Sequence, residues 1–128
     1  DLYLFVAIEP HNIFQRSEEN LYYELPISIA DAALGTTVEV PSIDGGKTKI
    51  KIPSGTQSGK QLRLKGKGMP ILRRNLLGDL YIRIITEVPT SLSKRQKELL
   101  TEFKTLEDTK SNPLIKSFFE KAKKFWKN

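Results

Sequence analysis

The sequence predicts a mainly β fold: a small two-sheet β-sandwich-like domain with one short helix, followed by two C-terminal amphipathic helices. Three observations carry this. Apolar and polar residues alternate in several short runs between residues 22 and 65, the period of half-buried strands. Gly and Pro clusters separate those runs, and one cluster contains the hairpin pair Asp44-Gly45. Beyond residue 92 the apolar spacing becomes helical, in two stripes that each open on a helix-start signal.

The elements follow in order. Residues 2–8 are apolar at nearly every position, which predicts a strand covered on both faces. Tyr23, Leu25, Ile27 and Ile29 then alternate with Tyr22, Glu24, Pro26 and Ser28, and Pro26 places this strand at an edge or a bulge. Residues 29–34 form a short helical turn of good helix formers, stopped by Gly35 in the left-handed conformation. In the next hairpin Val38 and Val40 share one face, and Thr48, Ile50 and Ile52 share a face on the return strand. Lys47, Lys49 and Lys51 occupy the opposite face. Leu62 and Leu64 mark another short strand, and residues 80–88 a last one, again nearly apolar on both faces. Ser93 with Gln96 three residues on forms a capping box, in which two side chains satisfy orphan amide donors. Leu99, Leu100, Phe103 and Leu106 make the stripe behind it. Asn112 caps a second helix with Pro113 at its first position. Leu114, Ile115, Phe118, Phe119, Ala122, Phe125 and Trp126 line one face of that helix, and lysines the other.

Bulk composition narrows the function. With no cysteine among 128 residues, disulfides and thiolate metal sites are excluded, and one histidine makes a histidine metal cluster implausible. No apolar run approaches the roughly 20 residues of a membrane span. No basic leader opens the sequence, so a soluble, cytoplasmic protein is expected. The net charge of +6 favours acidic partners. It is concentrated in the last helix, where Lys116, Lys121, Lys123, Lys124 and Lys127 face only Glu120.

Motif-like stretches resolve mostly into structure. Gly55 to Gly59 followed by Lys60 resembles a phosphate loop, but only three residues separate the glycines and Gln61 stands where a Ser or Thr would hold magnesium. A turn is expected. Gly66, Lys67 and Gly68 with Arg73 and Arg74 could hold an anion, although a solvated loop is the simpler reading. The Lys47, Lys49, Lys51 face lacks the interleaved aromatics of a base-stacking surface. His11 has no partner suggesting a triad, and no carboxylate pair is arranged for acid–base work. No enzymatic activity is expected.

One internal similarity stands out. Asp1-Leu2-Tyr3 opens an apolar run ending in Glu9-Pro10. Asp79-Leu80-Tyr81, 78 positions further on, opens another that ends in Glu87, Val88 and Pro89. A repeat this long suggests tandem domains, with residues 1–8 as the last strand of an earlier copy.

Several segments in this order resemble the second C-terminal β-domain of the DnaJ family. They are His11 to Arg16, Asn20-Leu21-Tyr22, residues 27–35, Val40 to Gly45, Ile52 to Gly59 and Leu62 to Pro70. Gly78 to Tyr81 and Leu92 to Leu100 complete the series. Lys116 to Phe119 with Lys123 to Phe125 is similar to the tail of bacterial members. The resemblance covers essentially the whole chain. It implies residues 1–17 as the last strand of a preceding β-domain and a linker, and 18–91 as the second β-domain. It further implies 92–107 as a dimerisation helix and 108–128 as an amphipathic tail helix. The dimer interface is expected at Leu92, Leu99, Leu100, Phe103, Leu106, Phe118, Phe119, Phe125 and Trp126.

By the same resemblance the function would be dimerisation and binding of client polypeptides for a co-chaperone that delivers unfolded proteins to a DnaK-type ATPase. A longer protein is implied, with a J-domain, a Gly/Phe-rich linker and a zinc-binding cysteine region. Neither a His-Pro-Asp signature nor a cysteine occurs here, so zinc belongs to that other region and no cofactor is expected in this chain. The main client groove of the family lies in the first β-domain. Ile71-Leu72 and Leu76-Leu77 depart from the pattern by being apolar where polar residues are usual. The alternative is a basic module for nucleic acid or an anionic membrane surface, with the last helix as anchor; neither is the expected partner.

Overall fold

A computed structural model describes residues 11–71 and 75–127. The run at residues 2–8, its role in a repeat, and Leu72, Arg73 and Arg74 lie outside the described residues. The chain divides into two compact units, Asp1–Pro89 and Thr90–Asn128.

The first unit is the β domain. Its described elements are β1 (Gln15–Ser17), β2 (Asn20–Ser28), α1 (Ile29–Leu34), β3 (Thr36–Pro41), β4 (Lys47–Ile52), β5 (Gln61–Leu64) and β6 (Leu80–Glu87). One sheet has the order β1-β2-β6-β5 and the other pairs β3 with β4. β2 and β6 are parallel, with Leu21 opposite Leu80 and Ile27 opposite Thr86. A parallel pair needs a crossover; here α1, the β3–β4 hairpin and β5 supply it.

Period-two patterning decides which side chains go inward. Leu21, Tyr23 and Ile27 of β2, Leu80, Ile82 and Ile84 of β6, Val40 of β3, and Ile50 and Ile52 of β4 share one core with Phe14, Ala32 and Met69. Leu62 and Leu64 pack against it half-buried. The Tyr23 hydroxyl donates to the Pro41 carbonyl at 3.2 Å, linking the two sheets. Burial pushes that phenol up to about 12.

Two expectations are corrected. Pro26 sits on an interior strand. Leu21 N–H donates to the Asp79 carbonyl, so odd-numbered residues of β2 face β6, and Pro26 lacks its N–H on the other side. β1 reaches only Asn20 to Tyr22 there. Gly35 has a positive φ of 82° but an extended ψ of 153°, not the left-handed helical pair. The segment that leaves β4 passes close to this position: a Cβ on Gly35 would lie 2.9 Å from the Ser54 nitrogen. At the β3–β4 turn Gly45 alone has positive φ (90°), and Gly45 N–H donates to the Ser42 carbonyl. The turn thus falls between Pro41 and Lys47 as expected, with the glycine of the Asp44-Gly45 pair supplying the positive φ. Asp44 braces it, accepting from the Ser42 hydroxyl at 2.6 Å and the Gly46 N–H at 2.8 Å, and these bonds hold its carboxyl below the usual range.

The second unit consists of α2 (Lys94–Leu106) and α3 (Pro113–Lys127). Both arms of the capping box form: Gln96 N–H donates to Ser93 Oγ at 3.1 Å, and Ser93 N–H to Gln96 Oε1 at 2.8 Å. Asp108 braces the connection between the helices. It accepts from the N–H groups of Ser111 and Lys110, which keep its carboxyl below the usual range.

Candidate functional site

The glycine-rich stretches of the β domain are committed to the fold. Gly55 N–H donates to the Ala32 carbonyl at 2.9 Å and Thr56 N–H to the same oxygen at 3.0 Å. Ser54 Oγ donates to Ala33. Thus the phosphate-loop look-alike caps the carbonyl end of α1, and further on Gly59 N–H donates to Ile84 on β6. The Gly55, Thr56 and Gly59 amide donors are already used, and the turn reading stands.

The stretch around Gly66 is similarly committed. Gly66 N–H donates to Asp79 Oδ1 at 3.0 Å, and Arg63 Nε donates to Oδ2 at 2.7 Å. These contacts, the Gly66 bond foremost, hold the Asp79 carboxyl low. Gly68 and Gly78 are buried where the β1–β2 turn crosses them. Gly68 N–H donates to Gly78, and Met69 N–H to Glu19 at 2.8 Å. A Cβ on Gly68 would lie 2.5 Å from the Glu19 carbonyl oxygen, and one on Gly78 would penetrate the Glu19 backbone. Both glycines are required by this close approach.

Sequence reasoning missed the outer face of the larger sheet. The parallel register sets Tyr22 beside Tyr81, and the rings stack with centroids 5.1 Å apart. With Gln15, Glu24, Gln61 and Arg83 they line a polar groove of about 680 Å³. The outward positions were legible from the period of two; their juxtaposition depended on a long-range pairing that no local signal specifies.

The residues singled out for an interface all lie in the second unit. None is buried, and only Leu92 is half-covered. On α2, Leu99, Leu100, Phe103 and Leu106 form one stripe, with Leu106 73% exposed. On α3, Phe118 and Phe119 meet edge to face at 5.1 Å, yet Phe118 is 63% and Trp126 70% exposed. Thirteen and fifteen residues give helices about 20 and 22 Å long. A shallow groove of about 400 Å³ runs from Glu107 and Asp108 along Ile115, Phe119 and Lys123. Such an arrangement offers apolar area and positive charge for binding. Among the described residues, no helix is long and apolar enough to cross a membrane.

Comparison with known proteins accounts for both units. Residues 1–89 match the family described as DnaJ C terminal domain, and residues 95–128 match the Chaperone protein DnaJ C-terminal region. A chaperone protein DnaJ of Pelagibacter ubique is 66% identical over 128 residues, covering 100% of this chain and 34% of that protein. The corresponding proteins of Azorhizobium caulinodans and Xanthobacter autotrophicus are 56% and 54% identical over 126 residues, in each case 98% of this chain and 33% of the relative. The chain thus spans about a third of the length of the curated relatives it matches. With residues 1–89 of its 128 matched by that family's model, the chain belongs to the DnaJ C-terminal domain family.

Proposed function

We propose that this chain is a dimerising, client-holding part of a DnaJ-type co-chaperone whose full-length form delivers unfolded polypeptides to a DnaK-type ATPase. The observation that carries the reading is the exposed stripe on α2, a capped helix with four large apolar side chains and no buried residue. The mechanism is geometric, not catalytic. Two weak client sites held in one particle raise the effective concentration at the second, so a pair retains a client longer than a single chain.

The energetics favour a weak pair. Full burial of a large apolar side chain contributes about 1.5–3 kcal/mol, so eight of them from two protomers would give about 12–24 kcal/mol. Leu99, Leu100, Phe103 and Leu106 are 47%, 36%, 56% and 73% exposed, so roughly half of that remains to be gained. Association costs about 4–15 kcal/mol. The α2 stripe with Leu92 is therefore a marginal contact whose occupancy follows concentration. A two-fold pair presents the same patch from both partners, which suits one stripe meeting its copy.

Molar mass measured against concentration tests this, with retention of a denatured polypeptide followed in the same samples. The mass is expected to rise from one chain to two across the micromolar range. Leu100→Asp with Phe103→Asp should hold it at one chain, weaken client retention, and leave the melting of the β unit unchanged. A double variant that still dimerises would remove α2 from the interface. Client retention that collapses between low and moderate salt would instead favour the basic-module reading.

A further inference from the structure

Lysine rims edge the apolar face of α3. At 3.6 residues per turn, its apolar side chains span an arc of about 140°. Leu114, Phe118 and Phe125 occupy one half of the arc, and Ile115, Phe119 and Trp126 the other. Lys121 lies about 20° beyond one border and Lys123 about 40° beyond the other. Glu120, the helix's single acidic residue, lies opposite the centre of the arc. The helix thus has an exposed aromatic face edged on both sides by ammonium groups, with its acid turned away.

That charge arrangement selects among occupants. A second copy of α3 laid face to face would bring its own lysine rims against these, with Glu120 on the far side of both helices. A nucleic-acid duplex would satisfy the lysines and leave Phe118, Phe125 and Trp126 in water. A single strand stacks its bases on rings interleaved with the charges, whereas here the apolar side chains form one continuous arc with lysines only at its rims. An anionic lipid surface satisfies both features: its headgroups meet the rims while its acyl boundary takes the rings, the partition expected of a helix lying in the interface plane. The α2 stripe differs on one rim: Lys104 borders one side, but on the other Glu102 stands beside Arg95, which also pairs with Glu98 at 3.1 Å. We infer that α3 is an interfacial anchor that docks this protein on anionic bilayers, parallel to the surface and independently of pairing through α2.

Trp126 is the only tryptophan in the sequence, so its emission reports on this face alone. The full chain is mixed with vesicles of phosphatidylcholine and phosphatidylglycerol, and separately with pure phosphatidylcholine vesicles. With the mixed vesicles Trp126 emission should shift to the blue and the chain should co-sediment; with the zwitterionic vesicles both effects should be lost. Phe118→Ser should weaken partitioning about tenfold, and Lys121→Glu with Lys123→Glu at least about tenfold. Neither variant should alter β-unit melting or the concentration dependence of molar mass, so failure here is distinguishable from failure of the α2 assignment. Unshifted emission with mixed vesicles would overturn the inference. So would a blue shift that grows with protein concentration without lipid, which would place a second copy on α3. Tight capture of a single-stranded oligonucleotide that the lysine variant abolishes and Phe118→Ser spares, with no vesicle binding, would assign the lysines to nucleic acid.

Discussion

In the β unit Leu21, Leu80, Ile82 and Ile84 are fully buried, while α2 and α3 together bury no residue. Both regions use the same side chains. Within the β unit, parallel pairing of β2 with β6 and the facing β3–β4 hairpin close one core. The second unit presents Leu, Phe and Trp on helix surfaces, and its described side-chain hydrogen bonds are local ones such as the capping box and the Asp108 brace. One region is specified by contacts distant in sequence, the other by neighbours three or four residues apart. This difference makes the second unit suited to gaining its burial from outside.

The contrast should be broken most severely at Gly78. A methyl group there meets the Glu19 backbone, which cannot yield without displacing the β1–β2 turn from Met69 and Asp79. Overpacking of a rigid site costs about 3 kcal/mol. Gly78→Ala should therefore lower the melting temperature of the β unit by about ten degrees or more, read by thermal unfolding. An unchanged transition would mean that the turn is not held by this approach.

Legibility followed the same division. The capping box at Ser93 and Gln96, the proline start of α3 and the alternation through Tyr23, Leu25 and Ile27 are short-range patterns, and each forms the element it predicts. Hidden features were long-range. β1 is three polar residues with no period to read, and it exists because Arg16 lies opposite Leu21. Tyr22 and Tyr81 meet through a register set by the whole crossover. Pro26 reads as an edge residue because a proline lacks a donor; that its open side falls beyond the end of β1 is knowable only from the sheet order. For the candidate surface, the sequence displays both apolar stripes. The rim charges of each helix follow from the same local spacing.

A smaller effect tests the locality of the second unit. Ser93 Oγ accepts the Gln96 N–H and is half of the capping box. Ser93→Ala should cost α2 about 1 kcal/mol, visible as reduced helicity by circular dichroism and as weaker dimerisation. The β-unit transition should not move. A coupled loss of β structure would show that the two regions fold as one, against the division drawn from their contacts.

The smallest effect lies at Glu18, where the β unit tolerates an unfavourable backbone to close its shortest turn. β1 and β2 are joined by Glu18 and Glu19 between the paired Ser17 and Asn20, and Glu18 has a φ of 54°. It is the one non-glycine residue with positive φ among the described residues. Left-handed backbone costs an L residue about 1–2 kcal/mol, and glycine escapes that cost while losing about 0.5–1 kcal/mol through its freer unfolded chain. Glu18→Gly should therefore stabilise the β unit by about 0.5 kcal/mol, a rise of about 2–4 °C in melting temperature. The Glu18 carbonyl, which accepts from Arg16 Nε, is retained in the variant. Gly78→Ala and Glu18→Gly act on the two sides of one close approach with opposite signs. A fall in melting temperature for Glu18→Gly would mean that the glutamate side chain, not the turn geometry, holds the crossing over Gly78 in place.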